Sequence, residues 1–140
     1  MPTPLAPEIT TWPDDPVRLV GSRCDRCSAT AFPAQTHCPR CSAAAMTEVL
    51  LPREGTLISW TTQGFPPGPP YLGAGGADFT PFGVGLVELG SPGDPVIRVE
   101  GRLTESDPAR LEFGMPVELT MLPFATRDGD EILTFAFRPV

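Results

Sequence analysis

Apolar and polar residues alternate over several short segments in the second half of the chain. The alternation is clearest at Val84 and Leu86, at Val117 and Leu119, and again near the end of the sequence. A period of two is typical of strands that bury one face. Residues that favour turns separate these segments. The pattern therefore predicts five strands, Gly55–Gln63, Phe82–Leu89, Val96–Leu103, Met115–Ala125 and Glu131–Phe137.

The segments between the predicted strands narrow the choice of fold. Residues 106–114 contain a capping residue, Pro108 and a terminating Gly114, which predicts a short helical turn. Asp128-Gly129 predicts a hairpin turn. Five strands with a short helix between the third and fourth favour a partly open OB-type barrel, with another small barrel or a sandwich as alternatives. The connection 64–81 is long and rich in Pro and Gly, and we expect either a functional loop or a mobile surface flap.

The first 53 residues do not show this alternation. Residues 1–16 carry five prolines and predict an extended arm or a short helix, and Trp12 favours docking of this arm over a loose tail. Residues 17–53 contain four cysteines and few aliphatic side chains, too few to form a core unaided. We expect three parts: an N-terminal arm, 1–16; a cysteine-containing ribbon, 17–53; and the barrel, 54–140.

Two CxxC pairs form the strongest local signal. Cys24, Cys27, Cys38 and Cys41 have the spacing C-x2-C-x10-C-x2-C. Two such turns can bring four thiolates into a tetrahedron, which predicts one structural Zn²⁺ with no open coordination position. A rubredoxin-like iron site and redox thiols remain alternatives. Ser28 and Ser42 stand where glycine often follows the second cysteine, so each turn must accommodate a side chain, and His37 is expected to be a neutral, partly exposed residue.

Composition and charge restrict the possible functions. The chain has 19 Pro and 14 Gly, a net charge of −7, one His and no lysine. A lysine nucleophile is therefore excluded, and acid–base catalysis by this chain alone is disfavoured. The segment 17–53 carries a formal +3 and the segment 54–140 carries −7, which argues against nucleic-acid binding. The sequence has no long apolar run and no signal-like start, which predicts a cytoplasmic protein that does not bind membranes. In that reducing compartment, metal binding by the four cysteines is favoured over disulfide formation.

Four motifs together suggest a family. The cysteine pairs precede Gly55-Thr56-Leu57-Ile58-Ser59-Trp60-Thr61, followed by Phe113-Gly114-Met115-Pro116-Val117 and a terminal Phe137-Arg138-Pro139. In this order they resemble the acyl-CoA-associated zinc-ribbon/OB-fold family, long catalogued as a domain of unknown function. The resemblance covers residues 17–140. It implies a mainly β protein with an N-terminal arm, a rubredoxin-like zinc ribbon and a five-stranded OB-fold barrel.

The resemblance also implies a function. Family members look like companions of thiolase-superfamily proteins, and the partner supplies the catalytic residues. We therefore expect a non-catalytic accessory subunit of a thiolase, aldolase or acyltransferase that acts on acyl-CoA in a hetero-oligomer, in lipid or steroid metabolism. The alternatives are a stand-alone acyl-CoA or nucleic-acid binding module and, less favoured, an enzyme in its own right. Candidate contacts with a partner or ligand are Trp12, Arg23, Arg26, Arg40, Phe65, Tyr71 and Phe79.

Overall fold

The computed structural model describes residues 2–69, 71–90 and 97–140. Pro70 of the long connection and Val96 of the third predicted strand lie outside the described residues. The described strands are β1 (Thr3–Pro4), β2 (Val20–Cys24), β3 (Thr30–Ala31), β4 (Met46–Leu50), β5 (Glu54–Gln63), β6 (Phe82–Leu89), β7 (Ile97–Leu103), β8 (Pro116–Arg127) and β9 (Asp130–Pro139). Short 3₁₀ helices span Pro7–Ile9, Gly76–Asp78 and Pro108–Arg110.

Strands β5 to β9 form the barrel that the alternation predicts. Neighbouring strands follow the order β9-β7-β6-β5-β8, and β8 also pairs with β9, which closes the sheet. All these pairs are antiparallel except β7 with β9, which run parallel. Closure leaves few unpaired backbone groups along the sheet. The mainly β class and the OB-type barrel are confirmed.

Glycines on the inner face of the barrel let its core close tightly. Gly85 faces inward on β6, where an added Cβ would lie 2.7 Å from Leu57 and 2.8 Å from Leu103. A Cβ on Gly101 would lie 2.8 Å from the ring of Phe137, which is fully buried. The large side chains of Leu57, Leu103 and Phe137 can therefore fill the barrel interior, because Gly85 and Gly101 beside them have no side chains.

The predicted turns form at the expected places. The side chain of Asp107 accepts a hydrogen bond from the backbone N–H of Ala109 and caps the 3₁₀ helix Pro108–Arg110. Asp128 and Gly129 both have positive φ, 51° and 85°, and join β8 to β9 in a two-residue turn. Within the described part of the chain, no helix is long and apolar enough to cross a membrane.

The N-terminal arm docks on the barrel. β1 pairs in parallel with β9, with Thr3 opposite Ile132 and Pro4 opposite Leu133. Trp12 is half-buried and packs against the core cluster. The side chain of Trp12 therefore contributes to the packing of this chain itself.

The cysteine-containing segment forms a separate three-stranded sheet, with the order β3-β2-β4. Its flanking residues Val17, Leu19 and Leu51 are buried in the same core as the barrel residues. Arg53 joins the two parts, since its Nε donates to the Val17 carbonyl at 2.9 Å and its Nη2 donates to the Leu119 carbonyl at 2.9 Å. Apolar packing therefore holds the ribbon against the barrel, together with the Arg53 guanidinium, which donates to one backbone carbonyl in each part.

Candidate metal centre

Each CxxC pair lies in a tight turn, and the two turns have the same geometry. The backbone N–H of Ser28 donates to the Cys24 carbonyl at 3.0 Å, and that of Ser42 donates to the Cys38 carbonyl at 2.9 Å. Both serines have φ of 65°, in the left-handed region that favours glycine. Each turn therefore accommodates a side chain in a conformation that is costly for it.

The two turns face each other and bring the four sulfur atoms together. All four Sγ atoms lie within 4.8 Å of one another. The Sγ atoms of Cys24 and Cys41 are 3.6 Å apart, and those of Cys27 and Cys38 are 3.5 Å apart. A tetrahedral Zn²⁺ with bonds of about 2.3 Å to sulfur requires sulfur atoms about 3.8 Å apart. The separations therefore fit one tetrahedral ion of this size.

Backbone N–H groups and neighbouring sulfurs shift the thiol pKa values in opposite directions. The N–H of Ala29, as the largest influence, lowers the pKa of Cys27 from 9.0 to about 6. The N–H of Ala43, as the largest influence, favours the Cys41 thiolate, but the loss of hydration at the sulfur and the three neighbouring cysteines together raise the pKa of Cys41 to about 11. Four crowded thiolates therefore repel one another unless a cation lies between them.

These features determine the chemistry that the centre can perform. Four protein sulfurs complete a tetrahedral coordination sphere, so a bound Zn²⁺ has no position for water or substrate. Zn²⁺ at this place supplies positive charge that balances the thiolates and joins the two turns. Cys24 and Cys38 are buried, Cys27 is half-buried and Cys41 is exposed. The centre is therefore a structural zinc site that holds the ribbon together.

Comparison with known proteins identifies both parts of the chain. The family model described as "ChsH2, C-terminal OB-fold domain" matches residues 48–122, more than half of the chain. The chain belongs to this ChsH2 family of OB-fold proteins. The model described as "ChsH2, rubredoxin-like zinc ribbon domain" matches residues 16–47, in agreement with the four-sulfur centre. The expected membership of the acyl-CoA-associated zinc-ribbon/OB-fold family, DUF35, is confirmed.

Two similar proteins and one solved structure each match more than four fifths of this chain. A DUF35 domain-containing scaffold protein of Pyrococcus furiosus is 28% identical over 125 residues, covering 88% of this chain and 84% of that protein. The benzoylsuccinyl-CoA thiolase subunit BbsA of Thauera aromatica is 28% identical over 123 residues, covering 87% and 76%. A solved structure described as the Ltp2-ChsH2(DUF35) aldolase superposes with a TM-score of 0.62 and 29% identity, covering 87% and 84%.

The candidate contact residues of the ribbon differ in their availability. Arg23 and Arg26 are exposed on the surface of the ribbon. Arg40 is also exposed, but its Nη2 donates to the backbone carbonyl of Cys27, so it links the two cysteine turns. His37 is exposed, and its Nδ1 lies 3.2 Å from the Thr36 hydroxyl, outside the sulfur cluster.

The candidate aromatic residues of the long connection lie in different surroundings. Phe65 is 70% exposed. The ring of Tyr71 lies 6.4 Å from that of Phe124 on β8, and the ring of Phe79 lies 6.1 Å from that of Phe82 on β6. The connection thus contacts two barrel strands, and an open cavity of about 450 Å³ lies between Leu72–Ala74 and the β8–β9 hairpin.

The structure also reveals two surface features that the sequence analysis missed. Phe113 is 74% exposed and stacks on Trp60 with ring centroids 4.5 Å apart. Arg102 lies over the ring of Phe82, with its guanidinium carbon 3.9 Å from the ring centroid. The alternation at Val84 and Leu86 indicated the strand correctly, but these two side chains lie on its outer face, because the positions that face the core are Gly83, Gly85, Val87 and Leu89.

Proposed function

We propose that this chain is a non-catalytic accessory subunit of a thiolase-superfamily enzyme that acts on acyl-CoA. One observation carries the proposal. The similarity to the Ltp2-ChsH2(DUF35) aldolase extends over 87% of this chain, including both the ribbon and the barrel. The relative named as a thiolase subunit supports the same role.

The chemistry of the chain is consistent with this division of labour. It has one histidine and no lysine, and its four cysteines form a closed metal centre. A partner with its own nucleophile and acid–base groups therefore has to supply catalysis. We place the complex in the cytoplasm, in a hetero-oligomer that makes or breaks a carbon–carbon bond in lipid or steroid metabolism.

The long connection 64–81 is our candidate for the contact with the partner or with its acyl-CoA channel. Phe65 is exposed there, and the cavity of about 450 Å³ beside Leu72 opens to solvent. A large apolar side chain held in water favours burial in an interface. Arg23 and Arg26 are the candidates on the ribbon for acidic partner residues or CoA phosphates.

Co-purification tests the proposal. The full chain, tagged and loaded with zinc, is co-expressed with a thiolase-superfamily protein encoded beside it. We expect one stable complex in size-exclusion chromatography and acyl-CoA turnover by the complex but not by this chain alone. Separate elution at micromolar concentrations, or turnover by the isolated chain, would contradict the proposal.

Calorimetry of the isolated zinc-loaded chain tests the alternative binding modules. CoA esters and short single-stranded DNA serve as probes, with Phe65→Ala as the matched variant of the loop. We expect no measurable binding of either probe without the partner. Tight binding of a CoA ester by the chain alone would show a stand-alone acyl-CoA module instead.

A further inference from the structure

The first part of β6, residues 82–86, reverses the usual distribution of side chains in a small barrel. Inner positions of such strands normally carry the large apolar residues and outer positions the polar ones. Here Gly83 and Gly85 face the core, while Phe82, Val84 and Leu86 lie on the outer face, half-buried. Three apolar side chains at successive outer positions form a continuous stripe, which we call the β6 stripe.

Polar residues border the β6 stripe on both neighbouring strands. On β7, Arg102 lies opposite Val84 and Glu100 lies opposite Leu86. On β5, Thr61 and Ser59 lie opposite the same two residues. An apolar centre with a polar rim is the arrangement found in protein–protein interfaces.

Arg102 is the positively charged residue among these four rim residues, and its guanidinium includes a nitrogen without a hydrogen-bond partner. Its Nε is buried and makes no hydrogen bond. Within residues 2–69, 71–90 and 97–140, no carboxylate forms an ion pair with it, whereas Arg98 on the same face pairs with Glu88 at 3.3 Å. The buried Nε is covered by this chain's own atoms, so an arriving carboxylate accepts instead from the terminal Nη groups, which the contact with the ring of Phe82 holds in position.

The space above the stripe suits a side chain better than a small-molecule ligand. A shallow cavity of about 240 Å³ lies over Ser59, Val84, Leu86 and Glu100. Sites for cofactors and drug-sized ligands usually exceed about 300 Å³. Glu100 at its edge also disfavours a phosphate group, as does the net charge of −7. The cavity therefore fits one large apolar side chain from another protein.

We propose that the β6 stripe and Arg102 form the docking surface for the thiolase-superfamily partner, which inserts an apolar side chain between β5 and β7 and presents a carboxylate to Arg102. The inference rests on the proposed function. It extends the contact region from the long connection onto the barrel, because Phe79 of that connection packs beside Phe82 at the end of the stripe.

Affinity measurements with two variants and two matched controls test this surface. The zinc-loaded full chain carries Leu86→Arg or Arg102→Ala, and the controls are Leu50→Arg on the ribbon and Arg110→Ala at the end of the 3₁₀ helix Pro108–Arg110. Leu50 is 49% exposed, and Arg110 pairs with the exposed Asp107. We expect Leu86→Arg to weaken binding of the partner about 100-fold and Arg102→Ala about 10-fold or more. The controls should stay within about 2-fold of wild type.

A second readout does not depend on any variant. Hydroxyl-radical footprinting of the wild-type complex should show that oxidation of Phe82 and Leu86 is reduced relative to the free chain, while Leu50 on the ribbon, 49% exposed, serves as the reference. Melting temperature and zinc content of each variant show whether the fold is retained.

The outcomes separate failure of this surface from failure of the proposed function. If wild type binds the partner but both variants bind equally well and the stripe is not protected, the docking surface is wrong and the accessory role stands. If wild type binds no thiolase-superfamily protein, the proposed function itself is wrong. If the isolated chain dimerises and Leu86→Arg abolishes the dimer, the stripe binds a second copy of this chain. If the chain binds CoA and Arg102→Ala loses that binding, Arg102 contacts a phosphate group. Either result overturns the inference.

Discussion

The ribbon, built on strands β2 to β4, and the barrel, built on strands β5 to β9, differ in what holds them together. The barrel has a closed ladder of strands and a core that includes Leu57, Leu103 and Phe137. The ribbon has a three-stranded sheet, and the sulfur atoms of its four cysteines lie within 4.8 Å of one another. The barrel therefore derives its stability from burial and backbone pairing, whereas the ribbon needs a metal ion to join its two turns.

The comparison teaches how a short segment can carry an ordered surface without a large core. Metal coordination in structural zinc peptides contributes about 10–16 kcal/mol, as much as the whole stability of a typical domain. Residues flanking the ribbon, Val17, Leu19 and Leu51, add apolar contacts with the barrel. If the two regions are stabilised independently, loss of the metal should affect the ribbon and a core substitution should affect the barrel.

Replacement of one ligand should separate the two regions most strongly. We expect Cys38→Ser to abolish zinc binding and to unfold the ribbon or make the protein insoluble, because Cys38 is buried and, among the residues that the structure describes, the sulfur cluster contains only the four cysteines. His37→Ala is the control and should retain about one zinc per chain. Zinc analysis and circular dichroism measure both variants, and a folded, zinc-loaded Cys38→Ser would refute the structural role of the site.

Acid should remove the metal from the ribbon while the barrel remains folded. Each thiolate must take up a proton to leave Zn²⁺, and Cys27, whose pKa is lowered to about 6, keeps its thiolate to lower pH than an ordinary cysteine. A proton that binds a ligand thiolate competes with Zn²⁺ for the sulfur, so the affinity for zinc falls as the pH falls. We expect acidification to release zinc, followed with a chelating dye, while the circular dichroism of the barrel stays unchanged. Zinc retention that does not depend on pH, or unfolding of the barrel before zinc is released, would contradict this expectation.

A cavity in the barrel core should lower the stability of the barrel and leave zinc binding by the ribbon unchanged. Phe137 is fully buried at the centre of the core, and we expect Phe137→Ala to lower the free energy of unfolding by about 3–5 kcal/mol. Zinc content of the folded variant should stay at wild-type level. Phe113→Ala is the matched control, since Phe113 is 74% exposed, and should cost less than about 1 kcal/mol. Denaturant unfolding measures both, and equal losses would disprove the assignment of the core.

The contact between the regions should have an intermediate effect. Arg53 donates to carbonyls of Val17 and Leu119, so Arg53→Ala leaves two carbonyls without this partner. We expect a loss of about 1–3 kcal/mol and earlier hydrogen exchange in the ribbon. Arg98→Ala, which removes only the exposed pair with Glu88, should cost about 0–1 kcal/mol. An unchanged ribbon in Arg53→Ala would show that apolar packing alone joins the two regions.

The smallest effect should come from the cysteine turns. Ser28 and Ser42 have φ of 65°, which glycine adopts at lower cost. We expect Ser28→Gly to raise the free energy of unfolding of the zinc-loaded ribbon by up to about 1 kcal/mol. Ser42→Gly should have the same effect, because the two turns have the same geometry. Thermal unfolding followed by zinc release measures the effect. Destabilisation by both changes would mean that the serine side chains contribute contacts that outweigh the backbone strain.

Local patterns in the sequence predicted a large part of this structure. Alternation located strands β5 to β9 to within a few residues, and Asp128-Gly129 marked the hairpin turn. The spacing of the cysteines predicted their cluster. These features succeed because each depends on residues that are close in sequence, such as the period of a strand or the conformation of a turn.

Contacts between distant segments could not be predicted in the same way. No local pattern indicated that Thr3–Pro4 pairs with β9 or that Arg53 bridges Val17 and Leu119. The outer position of the β6 stripe also depends on register, since a shift of one residue exchanges the two faces of a strand.

The mainly β class, the metal-binding spacing and the scarcity of histidine and lysine can be read from the chain alone, because composition and short-range periodicity do not depend on the fold. Only the tertiary structure decided that the arm docks, that Arg40 links the two cysteine turns and that Arg102 lies over Phe82 without an acidic partner among the described residues. The physical reason is that these contacts arise when closure of the barrel brings together residues far apart in the sequence, and the free energy that selects them comes from packing of the whole fold.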